Sequence, residues 1–228
     1  MGQRVLLIAI AVGTQLAGMT FAHAADDARA ASAARDADLV QALRRGGYVI
    51  FFRHALSDQQ QADTDRADLA RCETQRNLSG EGRRMAREIG EAFKALEIRV
   101  GKVLASPFCR TVDTAELAFG KHEKAEGLKY TMGADQAQHS RQTEELRRML
   151  GTVPPRGINT VLVSHNVNLK EATGVWPKRD GDAHVFRPRP DGGFDHVGEV
   201  TPADWSCWSG KSSNCRRAAP GSSREARR

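Results

Sequence analysis

The chain has 228 residues, of which 40% are hydrophobic, enough for one globular core or two small ones. Charged residues at 27%, aromatics at 6%, 21 glycines without a triplet period and a single long apolar run exclude a fully disordered chain, a collagen-like chain and a polytopic membrane protein. The net charge of +6 sits in Arg4 and in residues 209–228; the near-neutral body is not a basic nucleic-acid-binding domain, and no nucleic acid partner is expected.

Arg4, the apolar stretch from Val5 to Gly18 and Ala22-His23-Ala24 follow the three-part logic of a secretory signal, with cleavage after Ala24. The run is shorter than the ~20 residues of a spanning helix, so no stable membrane span is expected, an uncleaved anchor being the alternative. The body is therefore read as periplasmic or secreted. Residues 25–37, rich in Ala, Asp and Arg, read as a linker or frayed helix.

A short helix is predicted over Asp38–Arg45, ending at Gly46-Gly47. Tyr48–Phe52 is a continuous apolar run suited to the centre of a parallel sheet. Residues 55–76 read as a loop. Ser79 caps a helix marked by Met85, Ile89, Phe93 and Leu96. Val100–Ala105 is a second strand; after Pro107 a helix runs through Val112, Ala115 and Phe119. Residues 120–140 look irregular, Thr143–Leu150 helical, and Gly151 with Pro154-Pro155 stops that helix. Thr160–Val163 is a third central strand, and 183–188 with 194–200 form a hairpin across Pro190–Gly193. Residues 38–208 thus read as one domain, a three-layer α/β/α sandwich with a mostly parallel central sheet. Residues 209–228, with six basic side chains against Glu225, read as a solvated basic tail.

Ligands of such folds bind beyond the carboxyl ends of the strands. The three strands are followed by Arg53-His54, by Ser106 and Arg110, and by Ser164-His165-Asn166. Arginine offers a planar, permanently charged fork that matches phosphate oxygens. Neutral histidine can attack phosphorus, and a second histidine, if protonated, can stabilise charge on the transferring oxygens. This site calls for no cofactor and no metal, and the glycine-rich Lys loop of a nucleotide cradle is missing. His122, His139, His184 and His196 carry no motif and read as surface residues or satisfied hydrogen-bond partners.

Four cysteines in an oxidising compartment allow three pairings, and none forms a C-x-x-C pair that would favour zinc. Cys72–Cys109 with Cys207–Cys215 is favoured. The first joins segments expected to meet near the site.

Four segments carry a family resemblance: Tyr48–Ser57 with Arg53-His54-Ala55, Asn77-Leu-Ser-Gly80, Leu104–Ala115 around Ser106, Arg110 and Thr114, and Val161–Asn166. Over about residues 47–205 the chain resembles the histidine phosphatase superfamily in its phosphoglycerate-mutase-like branch, branch 1. The resemblance implies a phosphoglycerate-mutase-like fold, with His54 as the nucleophile that carries phosphate and Arg53, Arg110 and His165 completing the phosphate pocket. Asn166 and Ser57 become candidate substrate contacts, Ser57 being equally an ordinary loop serine.

Ala55 departs from the family's usual Gly. The family's general-acid Glu is not apparent. Asp182 and Asp135 are the candidates, each with a solvated surface carboxylate as the alternative reading. The expected activity is metal-independent hydrolysis of a phosphomonoester or related phosphoryl group. The substrate is a small phosphorylated molecule or a phosphoprotein. A mutase shares the intermediate but fits export poorly. A protein phosphohistidine phosphatase, or a module that only binds an anionic cell-envelope ligand, are the competing readings. Substrate identity and oligomeric state are not legible.

Overall fold

The computed structural model describes residues 34–212. The signal segment, residues 25–33 of the linker and most of the basic tail lie outside the described residues. So does Cys215, and with it the expected Cys207–Cys215 pair. Residues 34–45 are helical (α1), which contains the expected 38–45 helix. The stretch before Val40 is a unit of its own; the sheet and its helical layers belong to the unit from Val40 onward.

Six strands form one sheet: β1 (Val49–Arg53), β2 (Val100–Ala105), β3 (Glu123–Lys124), β4 (Asn159–Ser164), β5 (Ala183–Pro188) and β6 (Phe194–Val200), in the order β3-β2-β4-β1-β5-β6. β1–β4, β2–β4 and β2–β3 pair in parallel; β1–β5 and β5–β6 are antiparallel. The helices are α2 (Gly80–Ala95), α3 (Cys109–Phe119), α4 (Gln136–Gly151), α5 (Asn166–Thr173) and α6 (Pro202–Trp208).

The layers follow from the strand period of two. Val49 and Phe51 point to one face, where they pack with Leu146 and Leu150 of α4, Leu169 of α5 and Phe186 of β5. Phe52 points the other way, within 6.0 Å of Phe93 in α2, 5.8 Å of Phe119 in α3 and 6.4 Å of Trp205 in α6. Adjacent residues of one strand thus anchor both helical layers. That is why the run reads as continuously apolar rather than alternating.

Helix α2 starts where the sequence predicts, the Ser79 hydroxyl accepting from the Gly82 N–H. Helix α4 starts at Gln136 rather than Thr143. Its early turns are polar, so apolar periodicity misses them, but Asp135 caps them by accepting from the Gln138 N–H at 2.8 Å. The segment expected to be irregular also holds the exposed edge strand β3 and a 3-10 turn, Glu126–Leu128, that buries Leu128 in the core.

Candidate active site

Three strand ends build the site. Beyond β1, the backbone of Arg53-His54-Ala55 is held on every side. The Arg53 N–H donates to the Asp182 carbonyl and the His54 N–H to the Ser164 carbonyl, each at 3.0 Å. The Ala55 N–H donates to the Thr114 hydroxyl of α3, also at 3.0 Å. Ala55 has a negative φ and is fully buried, so the residue in the place of the usual glycine meets no left-handed backbone. Arg110 is the second residue of α3 and His165 immediately precedes α5. The N-termini of these two helices therefore flank the site, and their partial positive charge favours an anion.

His54 and His165 are both buried, their ring centroids 5.5 Å apart and edge-on. Burial, with the Arg110 guanidinium second, lowers the His54 pKa to about 3. Burial and then Arg110 hold His165 well below its ordinary value as well. Both rings are neutral near pH 7. His54 Nδ1 lies 2.9 Å from the Ala55 carbonyl oxygen. A carbonyl only accepts, so Nδ1 carries the proton and Nε2 keeps its lone pair. His165 Nε2 lies 2.9 Å from the Ser106 hydroxyl, and its Nδ1 is buried without a hydrogen-bond partner among the described residues.

Arg110 is 1% exposed. Its Nη1 donates to Asp63 at 3.0 Å and to the Arg76 carbonyl at 3.3 Å, and its guanidinium carbon sits 4.6 Å from the centre of the Phe108 ring. Arg53 pairs with Asp180 at 2.6 Å and donates to the carbonyls of Pro177 and Lys178. In Arg53, Arg110 and also Arg76 the Nε–H is buried and, among the described residues, unpartnered. All three guanidinium groups act on both histidines, pushing the rings toward the neutral form. Four nitrogens, three Nε–H and His165 Nδ1, are thus left in an anion-attracting setting, where an unmade hydrogen bond is costly.

The structure brings together Arg53, His54, Arg110 and His165 as the sequence predicts. Ser57 is buried; its N–H donates to Asp180 at 3.3 Å and its hydroxyl accepts from Gln59. Asn166 turns its carbonyl oxygen onto the Val167 N–H. Asp182 is not a solvated surface carboxylate: it is fully buried, and burial raises its pKa. It accepts from the Arg179 N–H at 2.8 Å. Asp135 is the exposed cap of α4. His184 is not at the surface either. It is buried against β1, with Nδ1 3.1 Å from Nε2 of His196, and burial lowers its pKa to about 4. His122 and His139 pair with Glu116 and Glu171.

Cys72 and Cys109 form a disulfide with Cα atoms 5.7 Å apart. It ties the 58–76 loop to the start of α3, one residue before Arg110. Sequence reasoning missed Arg76, Asp63 and Asp180, whose charges resemble those of a solvated loop. The one signal in the sequence is the place of Arg76, immediately before the Asn77-Leu78-Ser79-Gly80 segment.

Residues 49–132 match the family model of the histidine phosphatase superfamily (branch 1). The chain is similar in structure to Bacillus stearothermophilus YhfR, with a TM-score of 0.50 and 16% identity over 68% of this chain and 98% of that one. It is also similar to the protein histidine phosphatase SixA complexed with tungstate (TM-score 0.49, 17% identity, 69% and 98% covered). A third similar structure is a phosphoserine phosphatase of Entamoeba histolytica in complex with 3-phosphoglyceric acid (0.49, 16%, 68% and 96%). The first of these carries the fold comparison, and the fold is the phosphoglycerate-mutase-like α/β/α sandwich. None of the curated proteins compared with the chain matches it.

Proposed function

We propose, taking the match to the histidine phosphatase superfamily (branch 1) as the premise, that this protein is a phosphatase that passes a phosphoryl group through His54. The observation that carries the reading is the neutral His54, with Nδ1–H on the Ala55 carbonyl and Nε2 free, set among unpartnered Nε–H groups of Arg53 and Arg110.

Substrate phosphate binds to Arg53, Arg110 and the His165 side chain, whose Nε2 accepts a hydrogen bond from the Ser106 hydroxyl while its Nδ1–H is offered to the anion. The Nε2 lone pair of His54 attacks phosphorus. The N–P bond forms, the bond to the leaving oxygen breaks, and the leaving group departs with that electron pair. Water then attacks the phosphohistidine, the N–P bond breaks, and orthophosphate leaves with His54 neutral again. The donors stabilise the charge that builds on the transferring oxygens.

The candidate carboxylates are engaged as acceptors: Asp63 on Arg110, Asp180 on Arg53 and Asp182 on Arg179, while Asp135 caps its own helix. A carboxylate whose oxygens are already taken up by such donors is poorly placed to protonate a leaving alcohol, which favours substrates with weakly basic leaving groups: aryl and acyl phosphates or phosphorus–nitrogen bonds. A role for Asp182 as acid needs its carboxyl freed from the Arg179 turn.

Export is part of the same reading. It rests on the signal-like first 24 residues, and the Cys72–Cys109 bridge supports it. No helix among the described residues is long and apolar enough to cross a membrane.

The test is hydrolysis of a series of aryl phosphates by purified protein spanning residues 25–228. Turnover that slows as the leaving phenol becomes more basic, with inhibition by vanadate, is expected. Phosphate binding without turnover of any member would favour a binding module instead.

A further inference from the structure

We infer that Arg76 is a third phosphate-binding arginine and supplies the site's unbalanced positive charge; this rests on the phosphatase reading above. The backbone of Arg76 is fixed at both ends: its N–H donates to Asp63 Oδ1 at 3.0 Å and its carbonyl accepts from Arg110 Nη1 at 3.3 Å. The preceding residue, Gln75, is buried. It accepts from the Cys109 N–H at 2.9 Å and donates to the Leu69 carbonyl, while the Cys72–Cys109 bridge closes the same turn. Three anchors thus set the Arg76 main chain against the start of α3 without using its side chain.

The guanidinium is then available, and its Nε–H is buried and unpartnered. Arg76 is half-buried beside a second cation, the buried Arg110, and like charges are not held together away from bulk water unless something compensates. Charge counting identifies what compensates. Arg53 is matched by Asp180 at 2.6 Å, and Arg110 by Asp63 at 3.0 Å. Among the described residues Arg76 forms no ion pair, and its charge pushes both catalytic histidines toward neutrality. The first two arginines are nearly neutralised pairs that supply geometry. Arg76 adds the net charge that favours an anion, and specifically the doubly charged phosphate over the singly charged form.

The experiment is calorimetric titration of orthophosphate into wild type, Arg76→Gln and Arg76→Lys, alongside aryl phosphate turnover and thermal unfolding without anion. One lost charge-assisted hydrogen bond predicts a Kd about 10- to 100-fold weaker for Arg76→Gln. Arg76→Lys, which keeps the charge, should recover part of that loss. Unfolding without anion should be unchanged or shifted upward, since the anchors are main-chain groups. Arg76→Gln binding orthophosphate like wild type, in an enzyme that still turns over, overturns the assignment and leaves the phosphatase reading intact. A variant that melts more than about 5 °C lower without anion makes the side chain a structural one and also overturns it. Wild type that neither binds orthophosphate nor turns over overturns both.

Discussion

The His54 and His165 rings meet edge-on at 5.5 Å inside a buried site that holds both of them neutral. For His54, burial and then Arg110 lower the pKa from 6.5 to about 3. Between those two values the unfolded chain binds more protons than the folded one, so stability rises with pH. The contribution is fully present above about 6.5 and is lost as pH falls toward about 3. A His54→Gln variant removes one such titration. Its urea midpoint, followed from about pH 8 down to about pH 4, should fall less steeply than that of wild type. Equal slopes would mean that His54 is not buried in the neutral form.

Asp63 and Arg110 form an ion pair at 3.0 Å with side chains 6% and 1% exposed. Removing one member of a buried pair leaves the other charge uncompensated, at a cost of about 3–5 kcal/mol. Asp63→Ala should therefore be destabilised by that order in denaturant unfolding. Added vanadate should restore its stability more than it raises that of wild type, because the anion replaces the lost carboxylate. Equal responses would show that Asp63 and the anion do not share Arg110.

The sequence carries the sheet because runs such as 48–52 and 160–163 are rich in β-branched and apolar residues and bounded by glycine, polar or charged residues. It carries the four central site residues because each directly follows or closely trails a strand. Polar determinants are harder to read. The first turns of α4 have no apolar face, so in sequence Asp135 resembles an acid candidate rather than a cap. Asp182 reads as exposed because nothing local reveals that the turn to Arg179 folds back beneath β1. Arg76 and Asp63 depend on a long loop folding over the site. Loop geometry of that kind is set by tertiary contacts and the disulfide, not by periodicity.

The Cys72–Cys109 bridge spans a sequence separation of 37. Chain entropy assigns a loop of that size about 4 kcal/mol. The double variant Cys72→Ala/Cys109→Ala should melt roughly 8–16 °C below the oxidised wild type. It should also show a raised KM, because Gln75, Arg76 and Asp63 lose their anchor beside Arg110. Unchanged melting and KM would mean that the loop is held without the bridge.

Gly82 sits where α2 crosses the backbone just after His54, and a Cβ there would overlap the Leu56 carbonyl oxygen. Both elements are main chain, so neither yields cheaply. Gly82→Ala should lose about 1–3 kcal/mol in denaturant unfolding. Its kcat should fall, since Leu56 lies two residues from His54. A variant with full stability and activity would show that this contact does not position the catalytic segment.

The central claim is that phosphate passes through Nε2 of His54. Wild type mixed rapidly with a labelled aryl phosphate, quenched in alkali to preserve a phosphorus–nitrogen bond and digested for mass spectrometry, tests it most directly. A transient phosphate is expected on the peptide containing His54, with no label and no turnover in His54→Ala. Label on another residue, or wild-type turnover in His54→Ala, would contradict it.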